Sequence, residues 1–250
     1  MSVSQDSKEQ DGGVYETIKV VVQALLLALV VRTFLFQPFN IPSGSMKDTL
    51  LIGDYLFVSK FSYGYSQYSF PFGLVPMDGR VWSGEPKRGD VAVFKLPSDN
   101  STDYIKRVIG LPGDEIQMQN GVLFINGKAV KRERIDDFIE KDASGTPRRV
   151  TRYMETLPNG VSYHTLDLFA NGTTDNTRVF KVPAGHYFMM GDNRDNSQDS
   201  RVMSAVGFVP FENFVGRADV IFFSLEEGAA PWMFWKWPWS IRWERLGTTL

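Results

Sequence analysis

Hydrophobic and polar positions divide this chain into one long apolar run followed by a series of short alternating ones. Residues Ile18–Phe36 read IKVVVQALLLALVVRTFLF, and the central Val20–Val31 stretch holds one polar residue, Gln23. Lys19 and Arg32 bracket the run, and both can carry their charge out toward headgroups while their stems stay among apolar atoms. The run is near the shortest that can cross a hydrocarbon core of roughly 30 Å. A buried helix of a soluble domain and a cleaved secretion signal are the alternatives. The charged tail over residues 1–17 and the lack of a small-x-small pattern before Pro38 favour a single uncleaved transmembrane helix at 18–36.

Beyond the anchor the pattern is that of strands. Asp90–Leu96 and Asp103–Ile109 are short, β-branched and aromatic, and each is bounded by Gly, Pro or Asp. Ile116–Val130 carries two Asn-Gly pairs, Asn120-Gly121 and Asn126-Gly127, which predict a three-stranded meander. Val179–Val182, Tyr187–Met190 and Ala218–Phe223 supply further strands, and no other long 3.6-residue period appears. Ser62–Lys87, rich in Gly, Pro and aromatics, reads as an extended ribbon or loop. Glu133–Asn176 is polar and reads as irregular. The predicted fold is mostly β. A β-rich core occupies 37–118 and 183–228, and a Trp-rich segment 229–250.

That last segment, PWMFWKWPWSIRWERL over Pro231–Leu246, holds five of the six tryptophans. Lys236, Arg242 and Arg245 are interleaved with them. Indole rings favour the membrane–water interface and cations favour anionic headgroups, so contact with the bilayer surface is expected. An aromatic cover over the sheet's core is the alternative. Charge sets the orientation only weakly. Lys8 and Lys19 precede the span among four acidic residues and Arg32 follows it, which leans toward a cytoplasmic N-terminus and a body on the outer face.

Composition narrows the chemistry. The chain has 250 residues and a formal net charge of -2, which argues against a nucleic-acid partner. It has no cysteine, so thiol nucleophiles, Cys-bound zinc and iron–sulfur clusters are excluded. It has two histidines, His164 and His186, so a three-His metal site is excluded as well.

Three stretches carry candidate chemistry. NIPSGSMKDTL (Asn40–Leu50) sets Ser43 and Ser45 on either side of a glycine. A serine hydroxyl needs a base. His164 and His186 are candidates, though neither has a carboxylate at a suggestive spacing. Lysine is the other option. In DYIKRVIG, alternation places Lys106 between Tyr104 and Val108 on one face, where a dry amine could be held neutral. An ordinary exposed strand lysine is the alternative. GDNRDNSQDSR (Gly191–Arg201) is a polar loop that hydrogen-bonds to itself. A calcium loop built on Asp192, Asp195 and Asp199 is its rival reading, disfavoured by Arg194 and Arg201.

PSGSM with TLLIGD, then RGDVAVFK and DYIKRVIGLPGD, then GDNRDNSQDSR, in this order behind an anchor, resemble bacterial type I signal peptidases. The resemblance implies a serine–lysine dyad protease of the cell's inner (plasma) membrane that removes signal peptides from exported preproteins, without cofactor or metal. It implies that the β-rich core is catalytic and that 119–182 form an inserted smaller β subdomain. It implies Ser45 as nucleophile and Lys106 as general base. Ser43 with the Ser45 N–H would form the oxyanion hole, and Ser197 would orient the lysine. Asp199 with Arg107 and Arg201 would form a supporting salt-bridge cluster. Phe39, Ile41, Pro42, Met46, Leu50, Val93, Tyr104 and Ile105 match positions around two shallow pockets for small side chains. One feature departs from the family's pattern: Lys47-Asp48 follows the PSGSM box where a proline-containing pair is more usual, adding a cation close to Ser45.

Overall fold

The computed structural model of the chain describes residues 6–70, 77–141, 145–229 and 232–250. Helix α1 (Asp6–Phe34) contains the anchor. Its apolar part, Gly13–Phe34, has 22 residues and a mean hydropathy of 2.0, and it stays exposed until its last turn, where Thr33 is buried against the body. At 1.5 Å per residue this is about 33 Å, enough to cross a bilayer core. The helix therefore starts earlier than Ile18 and stops before Phe36. Phe36 instead opens a strand, because Pro38 pushes Gln37 toward extended backbone. The helix end is fastened to the body: Tyr65 Oη donates to the Phe34 carbonyl at 2.6 Å, and the Lys60 N–H donates to Leu35 at 3.1 Å.

The strands follow in chain order. They are β1 (Phe36–Asn40), β2 (Asp54–Ser59), β3 (Val91–Lys95), β4 (Asp103–Gly110), β5 (Glu115–Gln119), β6 (Val122–Ile125), β7 (Lys128–Ala129) and β8 (Lys131–Arg134). Then come β9 (Phe138–Lys141), β10 (Pro147–Thr156), β11 (Ser162–Asp167), β12 (Phe180–Lys181), β13 (His186–Met190), β14 (Val209–Pro210) and β15 (Phe214–Ser224). The protein is mostly β. A seven-stranded antiparallel sheet in the order β1-β2-β15-β3-β4-β13-β14 forms the main body. Two four-stranded sheets accompany it, one of β12-β5-β6-β7 and one of β11-β10-β8 with β9 on β10.

The predicted meander is present as β5, β6 and β7. Both residues of each Asn-Gly pair have positive φ, at 49° and 74° for Asn120-Gly121 and 52° and 73° for Asn126-Gly127. That is the geometry of a type I′ hairpin turn, and it is why these pairs signal hairpins so reliably. Glu133–Asn176 departs from its irregular reading, since β10 alone runs ten residues and pairs β8, β9 and β11. Its strands are polar because charged side chains pair across them, as where Arg132 of β8 lies 2.8 Å from Asp167 of β11 and 3.8 Å from Glu155 of β10. Of the Ser62–Lys87 ribbon, 71–76 lie outside the described residues; the rest closes through a Tyr65–Val81 bridge.

One core cluster joins Ile109, Phe188 and Met190 of the main sheet to Ile116, Leu123 and Phe180 of the small one. The smaller sheet thus has no separate core, and β5 already belongs to it from Glu115. A second cluster, including Ile41, Met46, Leu50, Val91, Val93 and Ile221, underlies the serine-bearing turn. Asp54 anchors that region to the C-terminal segment. It is fully buried, accepts from Arg245 at 2.6 and 3.0 Å and from Ser224 Oγ at 2.7 Å, and takes the Leu51 N–H at 2.8 Å.

Removing the carboxylate leaves Arg245 and Arg242 without their counter-ion. Asp54→Ala is expected to cost about 3 kcal/mol, read as a thermal midpoint lower by several degrees. A midpoint within about one degree of the wild type would show that the cluster is dispensable.

Candidate active site

Pro42 ends the extended chain after β1, and a single 3-10 turn (Gly44–Met46) follows. Met46 packs beneath it, with no exposed surface. The turn is held from the other side by the Gly191–Arg201 loop. The Asn193 side-chain amide donates to the Gly44 carbonyl at 3.0 Å, and its N–H donates to the Ser45 carbonyl at 3.1 Å. The approach is close enough that a Cβ on Gly191 would lie 2.6 Å from the Ser45 carbonyl oxygen and 2.2 Å from Ser197 Oγ. Glycine is required there by contact, at an ordinary φ.

Lys106 reaches the turn from β4. Its Nζ donates to Ser45 Oγ at 2.7 Å and to the Ile105 carbonyl at 3.0 Å, and it lies 5.3 Å from the Tyr104 ring centroid. Ser45 and Lys106 are both buried. Burial lowers the Lys106 pKa from 10.5 to about 8, and Arg201 pushes the same way, against the pull of Asp199 and Asp192. A drop of this size is worth about 3 kcal/mol in favour of the neutral amine. Ser43 Oγ sits 3.4 Å from Ser45 Oγ.

The polar loop supports this pair through two separate ion pairs. Asp199 is fully buried and takes Arg201 Nε at 2.9 Å, Arg201 Nη2 at 2.8 Å and the Gly191 N–H at 3.0 Å. Burial alone would raise its carboxyl pKa; the Arg201 charge and these hydrogen bonds outweigh that and lower it. Arg107 does not join them. It forms a bidentate pair with Asp192 at 2.9 and 2.7 Å and donates to the Gly89 carbonyl at 2.8 Å. Its position on the strand face opposite Lys106 turns it away from Asp199. Ser197 Oγ is buried without a hydrogen bond of ordinary geometry, though it lies near enough to Asp199 to help hold that carboxyl ionised. Asp195 takes the Leu168 and Phe169 N–H groups at 2.8 and 3.0 Å, so the three carboxylates of the loop face three different partners.

A cavity of about 500 Å³ opens over the pair. Phe39, Ile41, Pro42, Val93, Tyr104 and Ile105 line it, as do Ser43, Ser45 and Lys106. Met46 and Leu50 do not line it; both are fully buried in the core beneath. Asn40, Asp103, Asn196 and Gln198 also line it; they lie within the three candidate stretches, but nothing in the sequence assigned any of them a role of its own. Two free strand edges face this space. β1 pairs only with β2, and Asp103–Lys106 of β4 extends past the end of β13.

His164 Nδ1 lies 2.9 Å from Asp48 Oδ2, and His186 Nδ1 lies 2.9 Å from the Ala184 carbonyl. Among the described residues, neither hydrogen-bonds a serine of the turn. Asp48 also takes Arg152 at 2.9 Å, and Lys47 pairs with Glu140 at 3.1 Å. The charged pair after Ser45 therefore ties the turn to β9, β10 and β11. Arg194 and Glu155, a buried bidentate pair behind the loop, gave no sequence signal because their partnership spans β10 and a distant turn.

The sequence model of the family described as signal peptidase, peptidase S26 matches residues 14–223. The chain belongs to that family. Signal peptidase I of Rickettsia typhi is 48% identical over 208 residues, covering 80% of this chain and 76% of the relative. Signal peptidase I of Rickettsia conorii is 46% identical over 208 residues, with the same coverage. A solved signal peptidase I from Enterococcus faecalis V583 is 28% identical and covers 53% of this chain and 96% of that one, at a TM-score of 0.30. The match reaches well beyond the three motif stretches and takes in most of the anchor. This S26 peptidase is an enzyme whose N-terminal helix is long and apolar enough to cross a membrane, which fits a membrane-anchored enzyme.

Only a neutral amine can accept a proton, so if Lys106 is the base, peptide cleavage is expected to rise with pH to half its plateau near pH 8. A profile already flat from about pH 6 upward would contradict a base with that pKa.

Proposed function

We propose that this peptidase removes N-terminal signal peptides from exported preproteins, with Ser45 as nucleophile and Lys106 as general base. The observation that carries the reading is the 2.7 Å contact between the buried Lys106 amine and Ser45 Oγ at the wall of the cavity. Neutral Lys106 takes the Ser45 proton as the hydroxyl oxygen attacks the scissile carbonyl. The Ser43 hydroxyl and Ser45 N–H donate to the oxyanion that forms. The Lys106 ammonium then protonates the leaving amine, and a water activated by the same amine releases the acyl group from Ser45. Asp199 with Arg201, and Asp192 with Arg107, hold the loop and strand that present these groups. Ser197 Oγ, expected to orient the lysine, lies against Gly191 and makes no hydrogen bond to Lys106 among the described residues, so no orienting role is assigned to it.

The substrate enters as an extended segment between the free edges of β1 and β4, where backbone hydrogen bonding gives affinity and the apolar floor selects small side chains. The floor and walls are Phe39, Ile41, Val93, Tyr104 and Ile105. Met46 and Leu50 act from beneath by supporting that floor. The anchor keeps the cavity near substrates that are themselves in the bilayer, which raises their effective concentration. The N-terminus is on the cytoplasmic side of the plasma membrane and the catalytic body on the outer face, in keeping with the charge balance around the span. Trp232, Trp235, Trp239 and Trp243 are largely exposed, while Trp237 packs on Phe223 at 5.3 Å between centroids. This exposure favours contact of the tail with the bilayer surface over a role as core cover.

The test is cleavage of a purified preprotein in liposomes, with the cut site read by mass spectrometry. The wild type and the His164→Ala/His186→Ala double variant are expected to cut after a small-x-small motif. Ser45→Ala should lose at least about a thousandfold in rate. Cleavage by Ser45→Ala would overturn the nucleophile assignment, and a loss of that size in the double histidine variant would revive a histidine base.

A further inference from the structure

A second cavity, of about 480 Å³, opens where the anchor helix meets the main sheet. It shares Asp103 with the catalytic cavity, but its chemistry is different. Three cations, Arg32, Lys60 and Lys95, line it together with the amides of Gln37 and Gln67. Asp103 is its single carboxylate among the described residues and is paired with Lys95 at 2.9 Å. Arg32 and Lys60 are left without an acidic partner among the described residues.

Lys60 is 2% exposed, and its Nζ donates to the Ser69 carbonyl at 2.5 Å. A buried ammonium held only by a carbonyl is costly unless a counter-ion joins it. Consistent with this, burial and then the Arg32 charge lower its pKa to about 8, and Asp103 only partly opposes them. Arg32 lies in the last turn of α1, at the end of the membrane-crossing stretch. That is the depth at which headgroup phosphates lie, fixed in place at high local concentration. A guanidinium and an ammonium converging on one space, with amide donors around them, suit a phosphate group.

We propose that this cavity binds the headgroup phosphate of an anionic phospholipid, held by Arg32 and Lys60. A zwitterionic lipid would bring its own cation into a site already carrying two uncompensated charges, so a net anionic headgroup is preferred. The lipid would pin the body to the membrane at the foot of the anchor and fix the tilt of the catalytic cavity above it.

The experiment is native mass spectrometry of the full chain in maltoside micelles free of phosphate, with phosphatidylglycerol or phosphatidylcholine added. The wild type should retain one phosphatidylglycerol about tenfold more tightly than phosphatidylcholine. Arg32→Gln and Lys60→Gln should each weaken that retention about tenfold, while Lys131→Gln, an exposed cation on β8, should not. Because Lys60 is buried, Arg32→Gln serves as the variant least able to disturb folding, and an unchanged thermal midpoint checks it. Millimolar inorganic phosphate should leave the lipid bound. Undiminished retention by folded Arg32→Gln, equal binding of both lipids, or displacement by free phosphate would each overturn the proposal, the last by making this a site for soluble anions.

Discussion

The active-site architecture depends on keeping one amine dry. A lysine in water is overwhelmingly protonated at neutral pH and useless as a base. Burial against Tyr104, Ile105 and the serine turn brings Lys106 within range of the role of base proposed for it. That burial opposes protein stability while the amine is charged, because a desolvated ammonium is disfavoured. The surrounding sheet must therefore be rigid enough to hold a side chain that would otherwise swing out. β4 supplies this rigidity by pairing β3 along Asp103–Arg107, while its free edge leaves the Asp103–Lys106 side open to a substrate.

The same constraint explains the charged groups nearby. A carboxylate in contact with Lys106 would hold its proton. Asp199 and Asp192 instead spend their charge on Arg201 and Arg107. Each pair is buried and multiply hydrogen-bonded, the condition under which such pairs persist in an interior. Through Asn193 and Gly191 the loop that carries them grips the Gly44–Met46 turn, so Ser45 and Lys106 are positioned by one polar network. Lys47 and Asp48 extend that grip to the smaller β region by pairing with Glu140, Arg152 and His164.

Much of this was legible in the sequence. The strand at Asp103–Gly110 and the Asn-Gly hairpins follow from alternation and turn chemistry, which are local. The approach of Lys106 to Ser45 was legible only through the order of the motifs, because contact between residues so far apart in the chain leaves no periodic trace. Arg107 was grouped with Asp199, but strand alternation turns it toward Asp192. Met46 and Leu50 were expected at the pocket surface and lie under it, because the tight turn directs their side chains inward. The polar strands β8 to β11 were hard to read because cross-strand charge pairs run among their few buried apolar residues, Val150, Tyr163 and Leu166, and break the alternation.

The most direct test is to follow the Lys106 side chain itself, by NMR of selectively labelled lysine in the folded enzyme, with Lys106→Met used to assign its signal. The account predicts a titration midpoint near 8. A midpoint near the ordinary lysine value of about 10.4 would mean that the amine is charged at working pH and is not the base.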